Sequence, residues 1–530
     1  MDKRTNTAVM PDRAFAGATG YSCQTPSSAI RAALPCLLLA AASAQAAGLY
    51  YDPSLLVRET VTDNANFGVG PTAAHDDITE LMPSLVVRSI GENLTVDGRL
   101  SADAIDYRYR TEPNRVLPNG GFSGQLEAFD GHLFIDGAAM AAQNLNSIFL
   151  ANSAAATSYN TFSTGNFRLG PAIKGLLPGG VTYTLRADDS LIRGFGGAAS
   201  GAPGVDTNLA RGTLDVDALP RPIGGTLHAQ TSATTYQTGQ VPISRESLGR
   251  VIVKEQFEGQ VVLDVRAGAE HENFITSGAP HTIEGAGVTW QPSPRTKLDA
   301  QAEKRFFGAY LDYTARHSTP NLGINLSGSQ DVLTTAEVVF SQPSIGHDMA
   351  ALLDAMLMET VPDPIQRARA VQELMVQQSL PEANASAAQT YEPTPMRVGS
   401  NRGVLTWLGR EDTVDVSYYE VRMRLPRLIS AVFVPAGFTG ENLQRGVSLT
   451  VIHHLGPFTN VSITGGEHRV DGLGATNGQY TRGDAVTVQI NRRIASHTQF
   501  FLGGRLQAAE FSALPPTREK AAFVGGSHHF

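Results

Sequence analysis

The sequence predicts an all-β fold: a single transmembrane antiparallel β-barrel of about 20 strands, in the range of roughly 18 to 22, with a short helical insert in one loop. Three observations predict it. Apolar or small residues alternate with polar ones along segments of roughly ten residues, the length of a tilted membrane strand. Turn signals between those segments are alternately short and long. An export signal stands near the start, and nothing after it resembles a transmembrane helix.

Taken in order, residues 1–46 read as a signal peptide region. Arg31 precedes the apolar run Ala32-Ala33-Leu34-Pro35-Cys36-Leu37-Leu38-Leu39-Ala40, and Ala44-Gln45-Ala46 offers a small-x-small cleavage site. About thirty mostly polar residues precede the run, long for such a signal, which makes Met10 or a later residue a candidate start. The run is shorter than the about 20 apolar residues of a spanning helix and is broken by Pro35, so export is the reading. Cys23 and Cys36 both precede the cut. The mature chain, 47–530, therefore carries no thiol, disulfide or cysteine metal site. The leucines follow Cys36 instead of preceding it, which argues against a lipoprotein. The mean hydropathy of -0.11 is that of an ordinary secreted protein. A chain that enters a bilayer without helices must close its strands into a barrel, so that backbone groups pair between strands. The net charge of -9 and the lack of a basic patch exclude a nucleic-acid partner.

The alternation is clearest in three segments. Leu94 to Ala104 alternates at every step. Val261, Leu263, Val265, Ala267 and Ala269 alternate with Asp264, Arg266, Gly268, Glu270 and Glu272. Leu298, Ala300 and Ala302 alternate with Lys297, Asp299, Gln301, Glu303 and Arg305. Alternation does not say which face is inside, but an outer-membrane barrel turns its apolar face to lipid and its polar face to the lumen. Asp264, Arg266, Glu270, Lys297, Asp299, Gln301, Glu303 and Arg305 are then the candidate lumen lining, with Arg305 paired to Glu303 two residues away on the same face. Short turns are expected at 91–93, around Gly131, at 219–222, 291–294 and 455–457, and around Ser496. Longer loops are expected at 63–77, 110–121, 144–161, 192–206, 471–480 and 508–517. Short periplasmic turns and long outer loops are the rhythm of such barrels. The final segment, Ala521 to Phe530, fits a last strand whose terminal aromatic, Phe530, serves as an insertion signal for the barrel-assembly machinery.

Several short motifs resemble one known group. They are Thr62-Asp63-Asn64, Ile78-Thr79-Glu80-Leu81 with Pro83, Trp290-Gln291-Pro292-Ser293-Pro294-Arg295-Thr296, and, most specific, Arg305-Phe306-Phe307-Gly308. Over nearly the whole mature chain the sequence resembles the outer-membrane β-barrel proteins associated with PEP-CTERM/exosortase systems and exopolysaccharide loci. The resemblance implies an outer-membrane location and a setting in polysaccharide export or biosynthesis more than a reaction. His528 departs from the usual barrel ending, where an aromatic or apolar residue is commoner. The residues themselves read structurally: Trp290 and the prolines as a periplasmic interface turn, Phe306 and Phe307 as part of the opposite aromatic girdle.

Between Ser341 and Met396 the alternation stops, which defines a helical insert over residues 343–395. Met349, Leu352, Leu353 and Met356 share one helix face. Asp363 offers an N-cap, Pro364 the first helical position and Gln366 a capping partner, with Ile365, Ala368, Val371 and Met375 as an apolar face. Counting strands from Pro292, one up to about Asp312, one down near 322–326 and one up near 332–340, places the insert outside. It is either a passive hairpin on the rim or a lid at one mouth of the lumen.

No catalytic constellation assembles. His347, His453-His454 and His528-His529 lack a nucleophile motif or metal spacing, and adjacent strand residues point to opposite faces. Asp63, Asp76 and Asp77 are loop acids with the chemistry of Ca²⁺ ligands, but acidic loops are usually only solvated. No cofactor, metal or enzymatic activity is expected. Three functions remain: a porin-like channel that helps pass or assemble an exopolysaccharide, an occluded docking barrel whose loops bind an envelope-assembly or export partner, and, last, a barrel enzyme. Outer-membrane lipid surrounds the barrel in each.

Overall fold

The computed structural model describes residues 49–91, 93–149, 160–195, 206–237, 241–258, 260–275, 279–341, 348–358, 361–363, 366–367, 370–371, 393–427, 429–434 and 440–530. The expected signal peptide, Cys23 and Cys36 fall outside them. So do His347, Pro364, Ile365, Ala368 and Met375.

The described residues form 22 strands: β1 (Leu49–Thr62), β2 (Asp76–Ile90), β3 (Leu94–Tyr107), β4 (Arg115–Ala128), β5 (Leu133–Leu145), β6 (Thr161–Leu177), β7 (Val181–Phe195), β8 (Thr207–Ala218), β9 (Ile223–Tyr236), β10 (Ser244–Phe257) and β11 (Val261–Glu272) make the first half. The second half is β12 (His281–Ser293), β13 (Thr296–Arg305), β14 (Gly308–Ser318), β15 (Leu322–Leu333), β16 (Met396–Leu408), β17 (Asp412–Arg424), β18 (Asn442–Gly456), β19 (Thr459–Gly472), β20 (Tyr480–Ala495), β21 (Thr498–Phe511) and β22 (Thr517–His529). Each strand pairs antiparallel with its neighbours in sequence, and β1 pairs with β22 from Ser54↔His529 to Thr62↔Ala521, closing a 22-stranded barrel. Closure leaves no edge strand, the condition for a sheet to sit in hydrocarbon.

The strands form because their period-two pattern matches two different solvents. Outward positions are apolar and exposed: Val251 and Val253 on β10, Leu263 and Val265 on β11, Leu326 on β15, Leu449 on β18, Val488 on β20, Leu502 on β21. A continuous apolar belt of this kind is far larger than a soluble monomer exposes, so its solvent is lipid. Inward positions are mostly polar, with buried apolar exceptions such as Leu209, Val404 and Ile452. A slip of one residue in any pairing would send charges to lipid, which pins the register.

Links after even-numbered strands are two to four residues long, and links after odd-numbered strands are longer, with one exception, the two-residue turn Phe306-Phe307. The short-turn end holds both barrel termini and is the periplasmic side by the usual rule. Two expectations fail here. Residues 115–121, the end of the expected loop 110–121, lie within β4: Gly120 has a φ of +130°, and a Cβ there would stand 2.2 Å from the Arg99 carbonyl oxygen, so the glycine serves close strand approach. The strand expected to run to Asp312 instead breaks at Phe306-Phe307, and residues 335–340 are helical. A single cysteine replacing Leu514, in the β21–β22 loop, is expected to react with an impermeant thiol reagent on intact cells, and one replacing Ser293 is not. The reverse pattern would invert the orientation.

The Thr62-Asp63-Asn64 motif acts at the closing seam. Thr62 Oγ1 donates to Glu519 (2.8 Å), and the Lys520 N–H donates to Asp63 (2.7 Å). Asn64 Nδ2 donates to Thr517 Oγ1 (3.1 Å) and to the Arg518 carbonyl (2.9 Å), while its Oδ1 accepts from Gly68 N (2.8 Å). The first loop is thereby bound to the last strand. Asn64→Ala would orphan several buried groups at about 1–3 kcal/mol each, and the folded barrel is expected to unfold at a lower temperature in gel-shift heating series.

Candidate functional site: the lumen and its inserted helices

Two helices follow β15: α1 (Thr335–Ser341) and α2 (Asp348–Leu357). Helix α1 starts at a capping box. The Glu337 N–H donates to Thr334 Oγ1 (3.3 Å), and the Thr334 N–H donates back to Glu337 Oε2 (2.9 Å). Ala336 then packs with Ile192 of β7 and Leu209 of β8, and Glu337 lies 3.5 Å from Arg211 of β8. Ala336 is only three residues past the end of β15, a reach of roughly 11 Å. The inner faces of β8 and β15 therefore approach each other across the lumen, and α1 closes a lobe walled by β8 to β15.

Helix α2 enters deeper. Leu352, Leu353 and Met356 form a buried cluster with Val371, Val404 of β16 and Ile452 of β18, flanked by Leu408. Those wall positions lie near the short-turn ends of their strands, and they face inward: Gly323 pairs with Thr406, and Thr406 with Asp415. Gly323 is the seat. A Cβ there would meet Leu352 Cδ1 at 2.8 Å and Met356 Sδ at 3.0 Å. Beyond α2, the Gln366 N–H donates to Asp363 Oδ1 (2.8 Å), and Arg367 bonds Asp354 (2.9 Å) back on α2. The insert thus leaves from the long-loop end, but its described helices lie inside the barrel instead of on the rim or outside it. The physical reason is its apolar face, which finds no lipid outside and a complementary notch within. Gly323→Phe is expected to unseat α2 and to expose the insert to limited proteolysis.

The candidate lumen residues all project inward, yet most are not open to solvent. Arg305, with a side chain 4% exposed, bonds Glu246 of β10 (2.8 Å) and Glu270 of β11, and lies 4.0 Å from Asp331 of β15. Glu303, fully buried, does not pair with Arg305. It accepts from Arg250 and lies 3.2 Å from Arg266. Arg266 also pairs with Asp264 and bonds Gln301. The expected Glu303–Arg305 pair fails because adjacent strands offer opposite charges at the same height, and such cross-wall partners let each charge be satisfied by two or more groups once it is taken out of water. Only Lys297 and Asp299, near the short-turn mouth and 2.8 Å apart, remain half-exposed.

Above this network sits a roof. Phe306 and Phe307 pack with Tyr236, Val241, Phe274, Ile275, Val332 and Phe433, with ring centroids 5.0 Å apart for Phe306–Phe307 and 5.8 Å for Phe274–Phe306. They are not in a lipid-facing girdle as the sequence suggested. The two-residue turn folds them over the Arg305 guanidinium, 5.8 and 5.6 Å from their rings, because the neighbouring loops bring further aromatics there. Trp290 lies outward near the short-turn end of β12, half-exposed, as does Trp407 of β16. Phe530, 74% exposed, meets His528 edge to face (4.7 Å between ring centroids), and its N–H donates to the Pro53 carbonyl (2.9 Å).

The histidine pairs divide between faces. His453 bonds Asp412 (2.8 Å), while His454 lies on the opposite face of β18, and both border the cavity at the short-turn mouth; His528 bonds Thr498 (2.9 Å), while His529 bonds Asp52 (2.9 Å). Asp76 accepts from Tyr109 N (2.8 Å), Thr111 N (3.1 Å) and Thr111 Oγ1 (2.6 Å), a loop clasp. Among the described residues no group of three or more His, Cys, Asp or Glu is placed to hold a metal.

No protein-family model matches the chain, and no curated protein does. Among solved structures it is similar to the siderophore receptor PirA from Pseudomonas aeruginosa (9% identity, covering 91% of this chain and 80% of that one, TM-score 0.41). It is similar also to a mutant ferric enterobactin receptor, PfeA, from Pseudomonas aeruginosa in complex with enterobactin (9% identity, 91% and 82%, TM-score 0.45). A third is the outer membrane protein opdK from Pseudomonas aeruginosa (8% identity, 91% and 99%, TM-score 0.30). It is the chain's own closed wall of 22 antiparallel strands, apolar outside, that has the architecture of an outer-membrane β-barrel.

Proposed function

We propose that this protein is an outer-membrane channel for a hydrophilic polymer of the exopolysaccharide kind, held narrow by its own inserted helices. One observation carries the reading: α1 and α2 stand inside a polar lumen on separate seats, the Ala336 contact and the Gly323 notch, with no strand interposed. A wall of 22 strands, about 4.8 Å apart and tilted about 40°, is roughly 140 Å around, far more than a helix about 10–12 Å across fills. A loop that only stabilised the barrel would have no need to enter it. The exopolysaccharide setting comes from the motif resemblance, and the partners that follow are outer-membrane lipid, the barrel-assembly machinery acting at the terminal strand, and the polymer or an export-complex protein.

The test is genetic and electrical. Deleting the gene is expected to stop polymer from appearing outside the cell while it accumulates within the envelope, and the purified protein in planar bilayers is expected to show brief conductance steps. A sealed bilayer at high protein loading, together with normal polymer release, would sink the reading.

A second reading rests on the aromatic roof. Phe306, Phe307, Phe274 and Phe433 consolidate the outer loops over β9 to β17, a rigid platform suited to docking an export or envelope-assembly partner. On that reading the barrel is occluded, and detergent extracts should yield a partner lost when those loops are altered.

A further inference from the structure

The inner wall is divided by chemistry. On β10, β11 and β13 almost every other inward position is charged, and these charges satisfy one another inside the lobe closed by α1. On β17 to β20 the inward rows are mostly hydroxyls, amides and glycine, interrupted by Val421, Met423, Ile452, Val470 and Ala485 and by the histidines His454 and His468. Their charged members are Asp415, which accepts from Thr406 Oγ1 (2.7 Å), and Arg493 at the short-turn rim, which donates to the Pro457 carbonyl (3.3 Å). The neutral groups bond across strands: Ser417 to Ser448 (2.7 Å), Thr450 to Thr464 (3.2 Å), and Asn491 Nδ2 to Asn460 Oδ1 (2.9 Å).

Part of this wall is covered and part is open. Ile452 and Thr406 are buried at the α2 seat, whereas Thr464 is exposed and Thr487 and Gln489 are half-exposed. Higher on β20, the Thr481 hydroxyl is buried and without a hydrogen-bond partner. Below, the wall runs into a cavity of about 1610 Å³ at the short-turn mouth, lined by the amides Asn460, Asn491 and Gln499 and, towards the rim, by Asp52, Arg410, Glu411 and Arg493. That is larger than a pocket for one small ligand, typically about 300–1,000 Å³.

We infer that the cargo is an uncharged, hydroxyl-rich glycan chain, taken along the β17–β20 wall and through this cavity. The inference rests on the channel reading and narrows it to a substrate class. A polyanion would need cations to neutralise it, and the cations of the closed lobe are committed to carboxylates, as are Arg58 to Glu80 and Arg505 to Glu519 on the strands beyond it. A neutral glycan needs exchangeable donors and acceptors of modest strength, which hydroxyls and amides supply and which release as readily as they bind. The α2 helix, seated on the same wall, competes for it.

The test titrates the full-length protein in detergent micelles, by calorimetry, with a neutral dextran oligosaccharide and with an anionic polygalacturonate oligomer of equal length. The neutral oligomer is expected to bind, and the anionic one to bind at least about tenfold more weakly. Replacing both Thr464 and Thr487, which face each other across β19 and β20, with Val removes two open hydroxyls without setting like charges opposite one another, and is expected to lower neutral binding about tenfold. Equal or tighter binding of the anionic oligomer, no binding of the neutral one, or indifference to the double substitution overturns the inference. Current recordings separate the two levels: a protein that conducts but is not blocked by dextran keeps the channel reading and loses this one. Dextran binding by a protein that never conducts removes the channel, and with it the passage inferred here.

Discussion

Replacing residues 343–395 with a short Gly-Ser linker is expected to convert brief, infrequent conductance steps into a lasting open level, and to make cells sensitive to large hydrophilic antibiotics. The barrel itself should survive. The insert joins β15 and β16, which are already paired over twelve residues from Leu322↔Trp407 to Leu333↔Met396, so their register does not depend on the connection. A flexible linker adds little loop-closure cost. What is lost is the α2 cluster of Leu352, Leu353 and Met356 on Gly323, Val404 and Ile452, while α1, before the deletion, keeps the charged lobe closed. Opening should therefore run along the β16–β20 side and leave the Arg305 network dry. Single-channel recording of the two proteins side by side reads this directly. Unchanged conductance combined with loss of a co-purifying partner would make the insert a docking element and not a gate.

Much of the fold was legible because a membrane barrel writes its two solvents into alternate residues. The row Lys297, Asp299, Gln301, Glu303 and Arg305 against Leu298, Ala300 and Ala302 separates two faces by itself, the barrel reading then turns the polar one to the lumen, and the short turns near Gly131, Pro220 and Ser496 order the strands. Pairing across strands was not legible. Arg305 meets Glu246, more than fifty residues away in sequence, because β10 and β13 set those positions at one height, and no local spacing encodes that. The direction of the insert was equally hidden: the strand count tells from which end a loop leaves, not whether it turns back into the lumen. One signal was present and unread. Thr334-Thr335-Ala336-Glu337 is a capping box, and it starts helix α1 well before the point where alternation visibly stops. The Phe306-Phe307 turn misled for a related reason, since aromatics at a strand end fit a lipid girdle and a loop core equally well.

Arg305→Ala is expected to destabilise the folded barrel by about 3–5 kcal/mol, the cost of leaving buried carboxylates without their cation. Glu246 and Glu270 both bond this guanidinium, and Asp331 lies 4.0 Å from it. Glu270 also accepts from the Phe306 N–H (2.6 Å), so the loss would reach the roof turn. Arg305→Lys should recover only part, because a single ammonium lacks the planar fork that spans two carboxylates on different strands. The combination Arg305→Met with Glu246→Gln and Glu270→Gln should recover more than Arg305→Lys, since it removes the unpaired charges and keeps the volume. Urea unfolding in lipid vesicles, followed by tryptophan fluorescence and gel mobility, ranks the four proteins. A loss under about 1 kcal/mol for Arg305→Ala would mean that water reaches the lobe and that α1 does not close it, in which case the charged wall, and not the amide wall, is open to cargo.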